Sequence, residues 1–144
     1  MQSTTPEPRP RVANVRLRGG TERLHARAYW PDHSGRAPPA LVVYLHTADA
    51  GTTPARLCER AGVVVLAVRL GSDRAREDAI AAVRWAADHA GELDADPARV
   101  LVAGASAAEV AERVSGSGWP HVTELPGDGP DQLVSELAKR DPEI

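Results

Sequence analysis

Phenylalanine is absent from these 144 residues, and three tryptophans and two tyrosines are the only large aromatics. A core built without phenylalanine must be filled by aliphatic strands and closely packed alanine-rich helices, and the 42% hydrophobic fraction is mostly Ala, Val and Leu. Cys58 is the single cysteine, which excludes an intrachain disulfide framework and suits a reducing cytoplasm. The longest apolar run, Val63 to Val68, is far too short to span a bilayer, so no membrane partner is expected. The first residues lack the apolar segment of a secretory signal, and the expected location is cytoplasmic. A large excess of one charge sign is missing too: the net charge is −3 with both signs interspersed. No basic stripe with interleaved aromatics is present, and nucleic-acid binding is not expected. Neither C-x-x-C nor H-x-x-x-H spacing occurs, so no metal site is expected. No cofactor is implied either, because Gly104 to Ala108 has Ser106 where a dinucleotide fingerprint needs its second glycine.

What is present is enough for one domain with a core. Residues 1–10, with three prolines and little apolar content, read as a disordered tail, and 11–144 as a single domain. Arg11 to Arg18 alternates through Val12, Val15 and Leu17, and Arg23 to Trp30 through Leu24, Ala26 and Ala28. With Gly19-Gly20 between them, these predict an antiparallel hairpin. Leu41 to Leu45, Val63 to Val68 and Arg99 to Ala103 are continuous apolar runs, as expected of parallel strands buried on both faces. Between and after them fall three helical stretches: Thr53 to Ala61, Asp73 to Ala90 with Gly91 placed as its C-cap, and Ser106 to Val114. His121 to Leu125 suits one more strand and Asp131 to Lys139 a final helix. The alternation predicts an α/β class: a mainly parallel sheet of about six strands with helices on both faces.

The chain is organised around Val100 to Glu109, an apolar strand entering a small-residue turn and then a helix. Ser106 at its centre has two readings. Ser106-Ala-Ala-Glu109 has the spacing of a capping box, in which the serine accepts from the helix and the glutamate reaches back. Alternatively, Gly104-Ala-Ser-Ala-Ala108 approaches the G-x-S-x-G turn that exposes a nucleophilic serine, with Ala108 in place of the last glycine.

Colinear motifs carry a resemblance. Ala28-Tyr-Trp-Pro31, Val42-Val-Tyr-Leu-His46, Leu57 to Gly62, Val68-Arg-Leu70, Glu77-Asp78, Val83-Arg-Trp85, Asp96-Pro-Ala-Arg99 and Gly104-Ala-Ser106 follow one another in order and spacing. Over roughly Arg23 to Val114 the chain resembles the α/β-hydrolase fold, specifically the hormone-sensitive-lipase-like esterases, of which it would be a shortened member. The resemblance implies carboxylic-ester hydrolysis through an acyl-serine at Ser106, with a small ester as substrate. It implies an oxyanion hole from the backbone N–H groups of Thr47, Ala48 and Ala107.

Three departures bear on that chemistry. The family's H-G-G-G loop reads His46-Thr-Ala-Asp49 here, with side chains that restrict the backbone and a carboxylate that would oppose an oxyanion. After Ser106 the only histidine is His121, ahead of every later aspartate, whereas the fold presents Ser, acid, His in that order. The tail fits either the strand after the elbow helix or the family's last strand and closing helix. Both lose the base in its family position, and a serine hydroxyl without a base is a weak nucleophile. The expected function is therefore a degenerate hydrolase domain. One rival is a minimal esterase pairing Ser106 with His121 or with a base from a second subunit. Another is a non-catalytic interaction module that dimerises through an exposed sheet edge.

Overall fold

The computed structural model describes residues 11–18, 23–31, 37–71, 75–127 and 129–140. The tail 1–10, the Gly19-Gly20 turn and the start of the expected helix at Asp73 lie outside the described residues. The strands are β1 (Arg11–Arg18), β2 (Arg23–Trp30), β3 (Leu41–His46), β4 (Val64–Arg69), β5 (Val100–Gly104) and β6 (Val122–Glu124). The helices are α1 (Thr53–Ala61), α2 (Ala75–His89), α3 (Ala107–Ser115) and α4 (Pro130–Arg140).

One six-stranded sheet has the order β1-β2-β4-β3-β5-β6. The β1–β2 and β2–β4 pairs are antiparallel; β4, β3, β5 and β6 run parallel. The expected hairpin and mainly parallel sheet are both found. Continuous apolar runs form the central strands because helices cover both faces there. Leu41, Val43, Leu45, Val64, Leu66, Val68, Val100 and Val102 point to one face and pack against α2 and α3. Val42, Val65, Ala67, Leu101 and Ala103 point to the other, against α1 and α4. Ala79, Ala82, Ala86 and Ala87 line the buried side of α2, so small side chains bring that helix close to the sheet.

The end of α2 departs from expectation. Gly91 does not cap it; the chain continues as a 3-10 turn, Ala90–Leu93, and the left-handed residue is Asp94, at φ 60°. Packing decides this. Ala90 and Leu93 are buried, and the Trp30 indole N–H donates to the Leu93 carbonyl at 2.8 Å, holding the extra turn against β2.

The expected strand at His121 to Leu125 is shorter, because His121 lies in the turn before β6 and Leu125 beyond its end. β6 takes the sheet position beside β5, and α4 packs on α1, where Arg60 pairs with Asp131. The sheet edges are a three-residue β6 and a β1 carrying Arg11 and Arg16, both features that discourage pairing with another chain.

Candidate functional site

The C-terminal ends of β3 and β5 lie side by side, with Leu45 opposite Gly104. The Leu45 carbonyl reaches past β5 to accept the Ala105 N–H at 2.9 Å. That contact leaves no room for a side chain at Gly104: a Cβ there would sit 2.1 Å from the Leu45 oxygen, and the residue has φ +94°. Glycine is the residue that tolerates both conditions. The chain then turns through Ala105 and Ser106 into α3, whose Ala107 side chain is buried while Ala108 is exposed.

Ser106 has φ 57° and ψ 24°, the left-handed region, where a non-glycine residue is strained by about 1–2 kcal/mol. This overturns the capping-box reading. A capping serine has extended backbone and its oxygen accepts from the first turn. Ser106 has neither that backbone nor any side-chain cap hydrogen bond, and its side chain is exposed. Glu109 is turned elsewhere, to an ion pair of 3.1 Å with Arg76 at the start of α2. Ser106 does contribute to the helix through its carbonyl, which accepts the Val110 N–H at 3.0 Å. The Ala107 amide belongs to the first turn, whose N–H groups have no acceptor inside the helix and carry its positive dipole end.

The His46-Thr-Ala-Asp49 loop leaves β3 at this same end of the sheet, with Thr47 and Ala48 exposed. It is folded upon itself. The His46 ring lies against Tyr44 and its Nδ1 bonds the Ala48 carbonyl at 2.7 Å. The Asp49 carboxylate accepts the Gly51 N–H at 3.1 Å, a local turn that fixes the acid in this loop.

The structure does not bring His121 to Ser106. Val122 is opposite Val100, so His121 precedes the N-terminal end of β5, whereas Ser106 follows its C-terminal end. Four strand steps of about 3.3 Å separate those ends, roughly 13 Å, far beyond hydrogen-bond reach. Each parallel crossover returns the chain to the starting end of the sheet, so the residue that opens the next strand is always remote from the turn that ends the preceding one.

The other described histidines make no hydrogen bond to the Ser106 side chain either. His89 stacks on Trp85 and its Nδ1 bonds the Trp85 carbonyl at 2.7 Å. His25 and His46 line a cavity under the open side of β2, β4 and β3, whose lining includes no residue of the turn from Gly104 to Ala108. His33 lies outside the described residues. No group of three metal-ligating side chains occurs among the described residues. No described helix is long and apolar enough to cross a membrane.

Cys58 is buried on α1, and burial, with the Glu59 charge second, pushes its thiol up from 9.0 to about 12. The neutral thiol is not a nucleophile. A thiol reagent at pH 8 is expected to leave the folded protein unlabelled and to label it on denaturation; fast native labelling would contradict the burial. Between pH 9 and about 12 the unfolded chain loses this proton while the folded chain retains it, so stability falls as pH rises through that window.

No protein-family model matches the chain. It is 31% identical to the esterase LipI of Mycobacterium tuberculosis over 80% of this chain. It spans 42% of the length of that curated relative. Among solved structures, a hyperthermophilic esterase from the archaeon Pyrobaculum calidifontis matches with a TM-score of 0.67 and 28% identity, covering 78% of this chain and 42% of that one. An α/β-hydrolase enzyme from the metagenome of Lake Arreo matches in fold, with a TM-score of 0.67 and 24% identity over 83% of this chain and 41% of that one.

Proposed function

Because the chain has the α/β-hydrolase fold and is related to esterases of that fold, we propose that Ser106 occupies the nucleophile position and that ester hydrolysis by this chain alone is weak or lost. The left-handed backbone at Ser106 carries the first half of the proposal. Strain at a non-glycine residue persists where the surroundings enforce it, and a sharp strand-to-helix turn is where a nucleophilic serine is held clear of its helix. No hydrogen-bonded cap accounts for the serine instead.

The second half rests on the histidines. A serine hydroxyl becomes a good nucleophile when a base takes its proton in the transition state. His121 stands at the wrong end of the sheet, His89 stacks on Trp85 of α2, the His46 Nδ1 is taken by the Ala48 carbonyl, and no described histidine hydrogen-bonds the exposed Ser106 side chain. In a serine-hydrolase triad, losing the base alone costs on the order of 10⁶ in kcat. The oxyanion loop supports the same reading: Thr47 and Ala48 carry side chains where the family has glycines, and the Asp49 carboxylate, fixed by the Gly51 N–H, would oppose an oxyanion.

The test is p-nitrophenyl acetate hydrolysis by the purified chain beside Ser106→Ala. The expected result is that wild type and variant give the same slow release, no faster than a surface-catalysed background. Turnover that Ser106→Ala abolishes would overturn the proposal and point to a base supplied across a subunit contact.

A further inference from the structure

The cavity beneath β2, β4 and β3 has a volume of about 240 Å³ and a charge pattern that the elbow does not explain. The strand register builds it. Arg16 on β1 is opposite His25 on β2, and His46 on β3 is opposite Arg69 on β4. The β2–β4 register places Ala26 opposite Val68, so His25 and Arg69 are neighbours one step further along. Four cationic or protonatable side chains thus stand in one row across four adjacent strands. All point to the same face, since Leu17, Leu24, Val68 and Leu45, one position away on each strand, are buried on the other. Arg27 lies one step along the same face and lines the cavity, its Nε donating to Asn14 at 3.4 Å.

Directly opposed side chains in a sheet sit about 5 Å apart, and like charges there are destabilising. Among the described residues no carboxylate forms an ion pair with Arg16, Arg27 or Arg69. The acid at the rim, Asp49, is held by the Gly51 amide and offsets one of the two guanidinium charges, Arg27 and Arg69, that line the cavity; Arg16 stands beyond its lining. The face is also left open: α1 and α4 cover its inner strands, while Arg16, His25, Arg27 and Arg69 are exposed. A sheet that gathers two guanidinium groups and two histidines against a single carboxylate, around a concavity walled by the loop at residues 49–51, is suited to an anion.

We propose that the cavity lined by His25, Arg27, His46 and Arg69 binds a small oxyanion, a phosphate or carboxylate group carried by a small molecule, at a site whose lining does not include Ser106. Arg27 and Arg69 supply the planar forks that pair with such groups. The volume suits a compact ligand, and the charge is confined to one short row instead of the extended track a nucleic acid needs.

Titration of the labelled protein with inorganic phosphate, followed by amide NMR at fixed ionic strength balanced with chloride, tests the site. Saturating shifts are expected at residues 25–27, 46–51 and 67–69, with none at 110–114 on α3, which packs on the other face of the sheet. A parallel titration with acetate distinguishes the two sources: saturation by phosphate alone assigns a phosphate ligand, and saturation by acetate assigns a carboxylate. Arg69→Gln is expected to weaken binding at least about tenfold. Its unliganded melting temperature should be unchanged or raised, because a like-charge contact is removed; Arg84→Gln, on α2 across the sheet, should bind as wild type. Shifts that grow linearly with both anions, or undiminished binding by Arg69→Gln, would overturn the proposal.

Discussion

Replacing Gly104 with alanine is expected to remove a large part of the stability of the fold. The new Cβ would stand 2.1 Å from the Leu45 carbonyl oxygen, and the atom it meets is backbone in a central strand. A flexible side chain would swing away from such a contact; a strand hydrogen-bonded on both edges does not. Moving β3 outward would also stretch the bond from the Ala105 amide to that same carbonyl and loosen the β3–β5 ladder. The φ of +94° adds backbone strain that alanine cannot avoid. Steric overlap together with strain places the cost above about 4 kcal/mol. Against a typical total of about 5–15 kcal/mol, that removes from about a quarter to most of the stability. Gly91→Ala is the control, since a Cβ there meets nothing within 4 Å and φ is not in the left-handed region. It should be neutral or stabilising by up to about 1 kcal/mol. Urea melts of the two variants decide the matter, and a Gly104→Ala protein as stable as wild type would mean that β3 and β5 do not approach as described.

The second large effect has opposite signs under the two readings of Ser106. If the serine is held in a strained elbow, Ser106→Gly relieves the left-handed penalty and raises stability by about 1–2 kcal/mol. Ser106→Ala keeps the strain and should lie within about 0.5 kcal/mol of wild type, as expected of an exposed side chain without partners. A capping serine would behave the other way, with alanine costing about 1 kcal/mol and glycine a few tenths. The backbone at φ 57° and the absence of a cap bond predict the first pattern. A stabilised Ser106→Gly variant would also mean that the chain keeps serine there at a cost, which is what retention of a nucleophile's position requires.

Much of the scaffold was legible from residue order alone. The continuous runs at Leu41, Val64 and Val100 became central parallel strands, because a two-faced burial leaves no position for a polar side chain. The alternating Arg11 to Trp30 became the hairpin whose outer face is open. Where expectation failed, a long-range contact had overruled a local signal. Gly91 has the right chemistry for a helix end, yet Leu93 and its bond from Trp30 carried the chain one turn further. The Ser106-x-x-Glu109 spacing has the right chemistry for a cap, yet the β3–β5 contact forces the turn and Arg76 takes the glutamate. The cationic row was not legible, because Arg16, His25, His46 and Arg69 come from four separate strands.

By itself, then, the sequence determined which segments are strands and helices, which of their faces are apolar, and that a serine sits at a strand-to-helix turn of small residues. These are properties of local periodicity and residue size. The tertiary structure alone decided that Ser106 is strained and uncapped, that His121 stands at the far end of the sheet, and that two arginines and two histidines share one row. Each of those depends on which strand lies beside which, and on the end at which a crossover delivers the chain. Pairing between distant segments fixes both, and no window along the chain encodes it.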